Sequence, residues 1–73
     1  MNIRIGMKAR FCPDFLKSCN DSKAERAAKA VTGIVSYVNW DHRVFTVEYK
    51  SGSTIQTEAF KFYDIGKSVT LYG

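Results

Sequence analysis

Between Ala30 and Phe60 the chain is built from three short runs, AVTGIVSYVN, RVFTVEYK and STIQTEAF. β-Branched and aromatic residues dominate each run, and the breaks between them, WDH and SG, carry turn chemistry. This pattern predicts three antiparallel strands joined as a meander. In the second run Phe45, Val47 and Tyr49 share one face, opposite Val44, Thr46, Glu48 and Lys50. Ser51-Gly52 predicts a tight hairpin in which Gly52 supplies a positive φ, with Ile55, Thr57 and Ala59 continuing the inner face. The first run is less regular: Val31 and Val35 lie on one parity, Ile34, Val38 and Trp40 on the other. Either both faces are apolar or a bulge near Ser36 switches the parity. Gly33, inside this run, marks a bulge, a sharp bend or a close backbone approach.

Upstream, Ile3, Ile5, Met7, Ala9 and Phe11 alternate with Asn2, Arg4, Gly6, Lys8 and Arg10. Period two over nine residues predicts a half-buried strand. Pro13 ends it, since proline lacks the N–H a ladder needs and suits the first turn of a helix. CPDFLKSC then reads as one or two helical turns that fold Phe15 and Leu16 onto the core. In NDSKAERAAK, Ser22 and Glu25 fit a capping box, so this stretch is either a short helix or a mobile loop. Downstream, FKFYDIG reads as a single aromatic 3₁₀ turn plugging one end of the core. Val69 and Leu71, alternating with Ser68, Thr70 and Tyr72, supply a last strand.

Strand, long excursion, three-stranded meander, 3₁₀ turn and final strand follow one another in an order that resembles the SH3-like barrel. That resemblance implies an all-β fold in which residues 1–73 form a single domain, a small five-stranded barrel closed by pairing of the first and last strands. A long, partly helical excursion follows the first strand and a 3₁₀ turn precedes the last. The glycine of TGIVSYV also resembles the KOW-type variant of ribosomal and transcription proteins. The proline-peptide-binding variant carries aromatic residues in its first long loop, and NDSKAERAAK has none. GMKARF, TGIVSYVN, RVFTVEY and EAFKF are similar to short proteins carried by phages and mobile elements of Gram-positive bacteria, which implies a non-enzymatic accessory role.

Length limits the chemistry. A chain of 73 residues buries only about 60–65% of the surface its unfolded form exposes, so deep catalytic pockets are not expected. Met1 to Lys8 builds no apolar secretory segment and no run is long enough to cross a bilayer, so the expected compartment is the cytoplasm and no membrane partner is expected. Cys12 and Cys19 are then reduced thiols. With six residues between them and His42 as the single histidine, they lack the close pairing and fourth ligand of a zinc site. No cofactor is expected: the five glycines, at 6, 33, 52, 66 and 73, are isolated and build no phosphate loop. His42 has Asp41 beside it but no nucleophile in reach of the pattern, so the chain reads as a non-enzyme.

The net charge of +4, from eleven Lys and Arg against seven Asp and Glu, directs attention to polyanions. Arg4, Lys8 and Arg10 fall on one parity, on which alternate positions lie roughly 6–7 Å apart, a spacing that can track phosphates; the same charges can simply protect an edge strand. Lys23, Arg26 and Lys29 add a basic flank. Trp40, leading into a turn, is the candidate platform for stacking a base, with Tyr37, Tyr63 and Tyr72 as further partly exposed rings. The expected function is a small binding module for nucleic acid or nucleoprotein. The alternative is a protein-interaction module docking on a host or phage protein through Trp40.

Overall fold

A computed structural model describes residues 3–13 and 22–73. Among them, five strands form one antiparallel sheet in the order β4-β3-β2-β1-β5: β1 Lys8–Phe11, β2 Val31–Asn39, β3 Val44–Ser51, β4 Thr54–Lys61 and β5 Val69–Tyr72. A six-residue helix, α1 (Lys23–Ala28), precedes β2, and a 3₁₀ turn, Phe62–Asp64, lies between β4 and β5. The expected helical turns over Cys12–Cys19, with Phe15, Leu16 and Cys19, fall largely outside the described residues. The helical part of the excursion that is described is only α1. Its start is capped as the sequence indicates: the Glu25 N–H donates to Ser22 Oγ at 3.2 Å, and that hydroxyl lies 3.2 Å from Glu25 Oε1.

β2 organises the sheet because it pairs with β1 on one side and β3 on the other. Its register with β3 slips between Val35 and Tyr37. Before the slip Gly33 and Val35 face inward; after it Val38 turns toward the core and Tyr37 outward. One extra residue, Ser36, therefore resolves the mixed parity of this run by bulging and bending the strand. Gly33 serves a different need. It is buried, and a Cβ there would collide with the Glu48 carbonyl and stand 2.6 Å from Val47 Cγ1 and 3.1 Å from Tyr49 Cβ. Its β1 neighbour in register is Ala9, also fully buried. Two small residues side by side let the sheet curl until its own inner face meets itself.

That curl builds the core. Phe11 of β1 meets Tyr49 of β3 and Phe60 of β4 edge-on, both at 5.1 Å between centroids, and Phe60 stacks on Phe45 at 5.7 Å. Ile3, Ala9, Val35, Val47 and Val69 fill the space around these rings. β1 pairs with β5 along its whole length, as expected of first and last strands. The ladder does not close, however: β4 and β5 remain the two edges of an open sheet.

Two face assignments need correction. The N-terminal strand does not run from residue 3; the chain turns at Ile5 and Gly6 (φ +98°), and only Lys8–Phe11 is strand. Ile5 is accordingly exposed, and Arg4 leaves the stripe it was expected to share with Lys8 and Arg10. In β4 the inner face is carried by Glu58 and Phe60, while Ile55, Thr57 and Ala59 point outward. The cause is the hairpin. Ser51 pairs with Thr54 across a two-residue loop, so odd positions in β3 oppose even positions in β4. Gly52 has φ +64° and Ser53 is not positive, the arrangement of a II′ turn.

These geometries set two stability expectations. Gly33→Ala forces a methyl into the β2–β3 contact and should cost about 1–3 kcal/mol. That is a fall in thermal midpoint of at least about 4 °C for a domain of this size. Gly52→Val meets open space but must hold a positive φ, a strain of about 1–3 kcal/mol. Thermal melts followed by circular dichroism check both. A Gly33→Ala variant that melts with the wild type would mean that β2 and β3 do not approach so closely.

Candidate functional site

The β2–β3 turn and the 3₁₀ turn meet at one end of the sheet. The first is a four-residue loop, Trp40-Asp41-His42-Arg43, between the last paired residues Asn39 and Val44. Asn39 begins it by accepting the His42 N–H on Oδ1 at 3.1 Å, and Arg43 ends it in the left-handed region at φ 56°. The second turn is started by Asp64, whose Oδ2 accepts the Lys61 N–H at 3.1 Å. One backbone bond ties the two together, from the Phe62 N–H to the Arg43 carbonyl at 2.9 Å.

Phe62 is the keystone side chain. Half-buried, it touches Phe45 of the core at 6.2 Å and supports Trp40 edge-on at 5.2 Å. Trp40 thereby stands in a defined orientation while 55% exposed. Tyr63, the next residue, is 63% exposed and is flanked by two ammonium groups, Lys61 Nζ at 5.6 Å and Lys67 Nζ at 5.7 Å from its ring centre. Both distances fall within the range of a cation–π contact. Trp40, His42, Arg43, Lys61, Phe62 and Tyr63 line an open groove of about 790 Å³. Two exposed rings, the side chains of Arg43, Lys61 and Lys67, and an imidazole thus share one corner. Of the two acids nearby, Asp64 is engaged by the backbone, and Asp41 is exposed.

The residues singled out from the sequence divide among several places. Trp40 belongs to this corner. Lys8 and Arg10 share the exposed face of β1, Lys8 between Ile34 and Tyr72, Arg10 between Thr32 and Thr70. Arg10 is 3.4 Å from Thr32 Oγ1. From this pair the corner lies six to eight residues further along β2, roughly 20–26 Å at the rise of a strand. Arg4 sits in the turn before β1, its N–H 3.2 Å from Met7 Sδ. Lys29 is half-buried at the end of α1, its N–H donating to the Glu25 carbonyl at 3.1 Å. The side chains of Lys23 and Arg26 lie outside the described part. Arg43, Lys61 and Lys67 were missed as site cations. Their signal is the interleaving of lysine and aromatic residues in FKFYDIGK.

The described residues contain no group of three or more His, Cys, Asp and Glu that could hold a metal. Cys12 is a buried free thiol, 3.8 Å from the Pro13 carbonyl, whereas His42 is exposed in the β2–β3 turn. No helix among the described residues is long and apolar enough to cross a membrane. Comparison with protein-family models, curated proteins and solved structures found no match.

Phe62 should therefore control Trp40. Phe62→Ala removes a half-buried ring and should cost about 2 kcal/mol, less than the 3–5 kcal/mol of a fully buried one. It should also shift the emission of the single tryptophan to the red and increase its quenching by acrylamide. An unchanged spectrum would mean that Trp40 takes its position from elsewhere.

Proposed function

We propose that the protein is a non-enzymatic binding module that takes single-stranded nucleic acid on the corner formed by Trp40 and Tyr63. The observation that carries this reading is the pair of exposed rings bordered by Arg43, Lys61 and Lys67, with two lysines leaning on Tyr63. Rings stack bases of any sequence, and cations beside them meet the phosphates. The net charge of +4 acts in the same direction. Lys8, Arg10 and Tyr72 form a second aromatic and basic segment on the outer face, and a strand lying over both would gain contacts. Arg4 and the basic flank of Lys23, Arg26 and Lys29 add positive charge to the attraction for a polyanion in this reading.

The scaffold is proposed to be an SH3-like barrel. The strand order, the β1–β5 pairing and the bent β2 support this reading. The resemblance of GMKARF, TGIVSYVN, RVFTVEY and EAFKF to phage and mobile-element proteins adds the proposal of an accessory role in the cytoplasm. The second reading is a protein-docking module, favoured by the exposure of Trp40 and Tyr63 together, since such rings anchor interfaces.

Trp40 is the only tryptophan, so its fluorescence reports on the corner directly. Titration with short single-stranded DNA and RNA at about 50 mM salt, where electrostatic attachment is strongest, should quench it. Trp40→Ala, followed by anisotropy of a labelled oligonucleotide, should weaken binding by about 1–3 kcal/mol. Lys61→Ala and Lys67→Ala should each reduce the slope of log K against log salt by about 0.7. Absence of binding at low salt overturns the nucleic-acid reading. Binding that Lys8→Ala and Arg10→Ala weaken but Trp40→Ala leaves intact would move the site to the first strand.

A further inference from the structure

We infer that the edge of β4, which pairs with no strand but β3 among the described residues, is a pairing surface for a second copy of the chain, giving an antiparallel β4–β4 dimer centred on Thr57. This inference is independent of the proposed ligand. β4 is an eight-residue edge strand, TIQTEAFK, with no proline or glycine and with unbroken register to β3. From Thr54 to Thr57 every residue is exposed and none is charged, and Ile55 is 62% exposed. Exposed edges are ordinarily blunted by shortness, bulges, proline or charge, because unpaired N–H and C=O groups template further pairing. The other edge, β5, is only four residues long. β4 carries none of these protections over its first half.

The self-pairing is specified by geometry. Because Ser51 and Thr54 close a two-residue hairpin, positions 54, 56, 58 and 60 direct their backbone groups to β3, and 55, 57, 59 and 61 direct theirs to the free edge. A two-fold axis perpendicular to the sheet keeps inner faces on one side, so residues paired across it must share parity. With the axis at Thr57, Thr57 opposes the partner's Thr57, and Ile55 opposes the partner's Ala59 on both sides of the axis. All these positions present free backbone groups, each pair exchanging two hydrogen bonds. Thr–Thr pairs are favourable across strands, and Ile55 would gain an apolar neighbour. On the inner face Gln56 opposes the partner's Glu58. Moving the axis to Glu58 would set Ile55 opposite the partner's Lys61 in place of Ala59. Moving it to Gln56 would shorten the paired stretch to residues 54–58. Centred on Thr57, residues 54–60 pair and Ile55 keeps an apolar neighbour.

The pairing buries little apolar area, so a dimer at the weak end of protein interfaces is expected, with a dissociation constant between about 1 μM and 1 mM. Light scattering across that concentration range should show the mass rising from 8.3 kDa toward twice that value and no further. Thr57→Lys places two like charges at the axis and should leave a folded monomer, its melting curve at low concentration matching the wild type. In a Cys19→Ser background, Thr57→Cys should crosslink under mild oxidation far more than Gln56→Cys or Glu58→Cys. A hydrogen-bonded antiparallel pair holds its Cα atoms about 5.5 Å apart, within disulfide reach. A mass that stays monomeric to about 1 mM, a dimer unaffected by Thr57→Lys, or crosslinking centred on 56 or 58 would each overturn the proposal. Growth beyond the dimer would overturn it too, because that is the mark of a head-to-tail β4–β5 contact.

Discussion

The closeness of β2 to β3 at Gly33 is the constraint on which the rest of the structure depends. A side chain there would occupy space held by the Glu48 carbonyl, Val47 and Tyr49. Without one, β2 bends toward β3 while still holding β1 through the Ala9–Gly33 pair. Only because of that bend can Phe11 of β1 reach Tyr49 and Phe60 on strands two and three positions away in the sheet. A flat sheet would leave those rings pointing in parallel into solvent. The bulge at Ser36 completes the curl by exchanging the faces of β2 halfway along.

The same core also positions the aromatic corner. Phe45 is fully buried and touches Phe62, which in turn braces Trp40. Stability and site geometry are thus linked through a short chain of rings. The two turns that frame the corner are held mostly by backbone and short polar caps, from Asn39 and Asp64. Arg43, Lys61 and Lys67 stand on these turns with exposed side chains. Two of these cations, Lys61 and Lys67, lie against the Tyr63 ring, so the corner's charges and its rings are placed together.

The sheet distributes its polar and apolar surface unevenly. The inner face is closed by rings and valines. The outer face mixes Lys8, Arg10 and Lys50 with exposed Ile34, Ile55, Tyr37 and Tyr72. With so short a chain, there is not enough interior to hide every large side chain. The exposed rings gather toward the corner and the outer face; of the exposed aliphatic residues, Ile34 and Ile55 line one shallow groove on β2, β3 and β4, and Ile5 lies in the turn before β1.

Much of the fold was legible locally. The Ser22–Glu25 cap was legible only as one of two alternatives. The meander, a tight turn with positive φ at Gly52, the 3₁₀ turn over Phe62–Asp64 and the last strand each depend on interactions spanning a few residues. Propensity, turn chemistry and capping act at that range, so the sequence by itself determined them. The parity switch in β2 was legible as an alternative, and the bulge resolved it. What the tertiary structure decided was which side chains meet. The two-residue hairpin turned Ile55, Thr57 and Ala59 outward, and Gly6 took Arg4 away from Lys8 and Arg10. The packing of the 3₁₀ turn against the β2–β3 loop brought Lys61, Tyr63 and Lys67 beside Trp40, more than twenty residues earlier in the chain. A strand's side chains change face with every residue, so a shift of one position at a turn reassigns all that follow. Local pattern therefore identified the strands, and only their register through the sheet assembled the site.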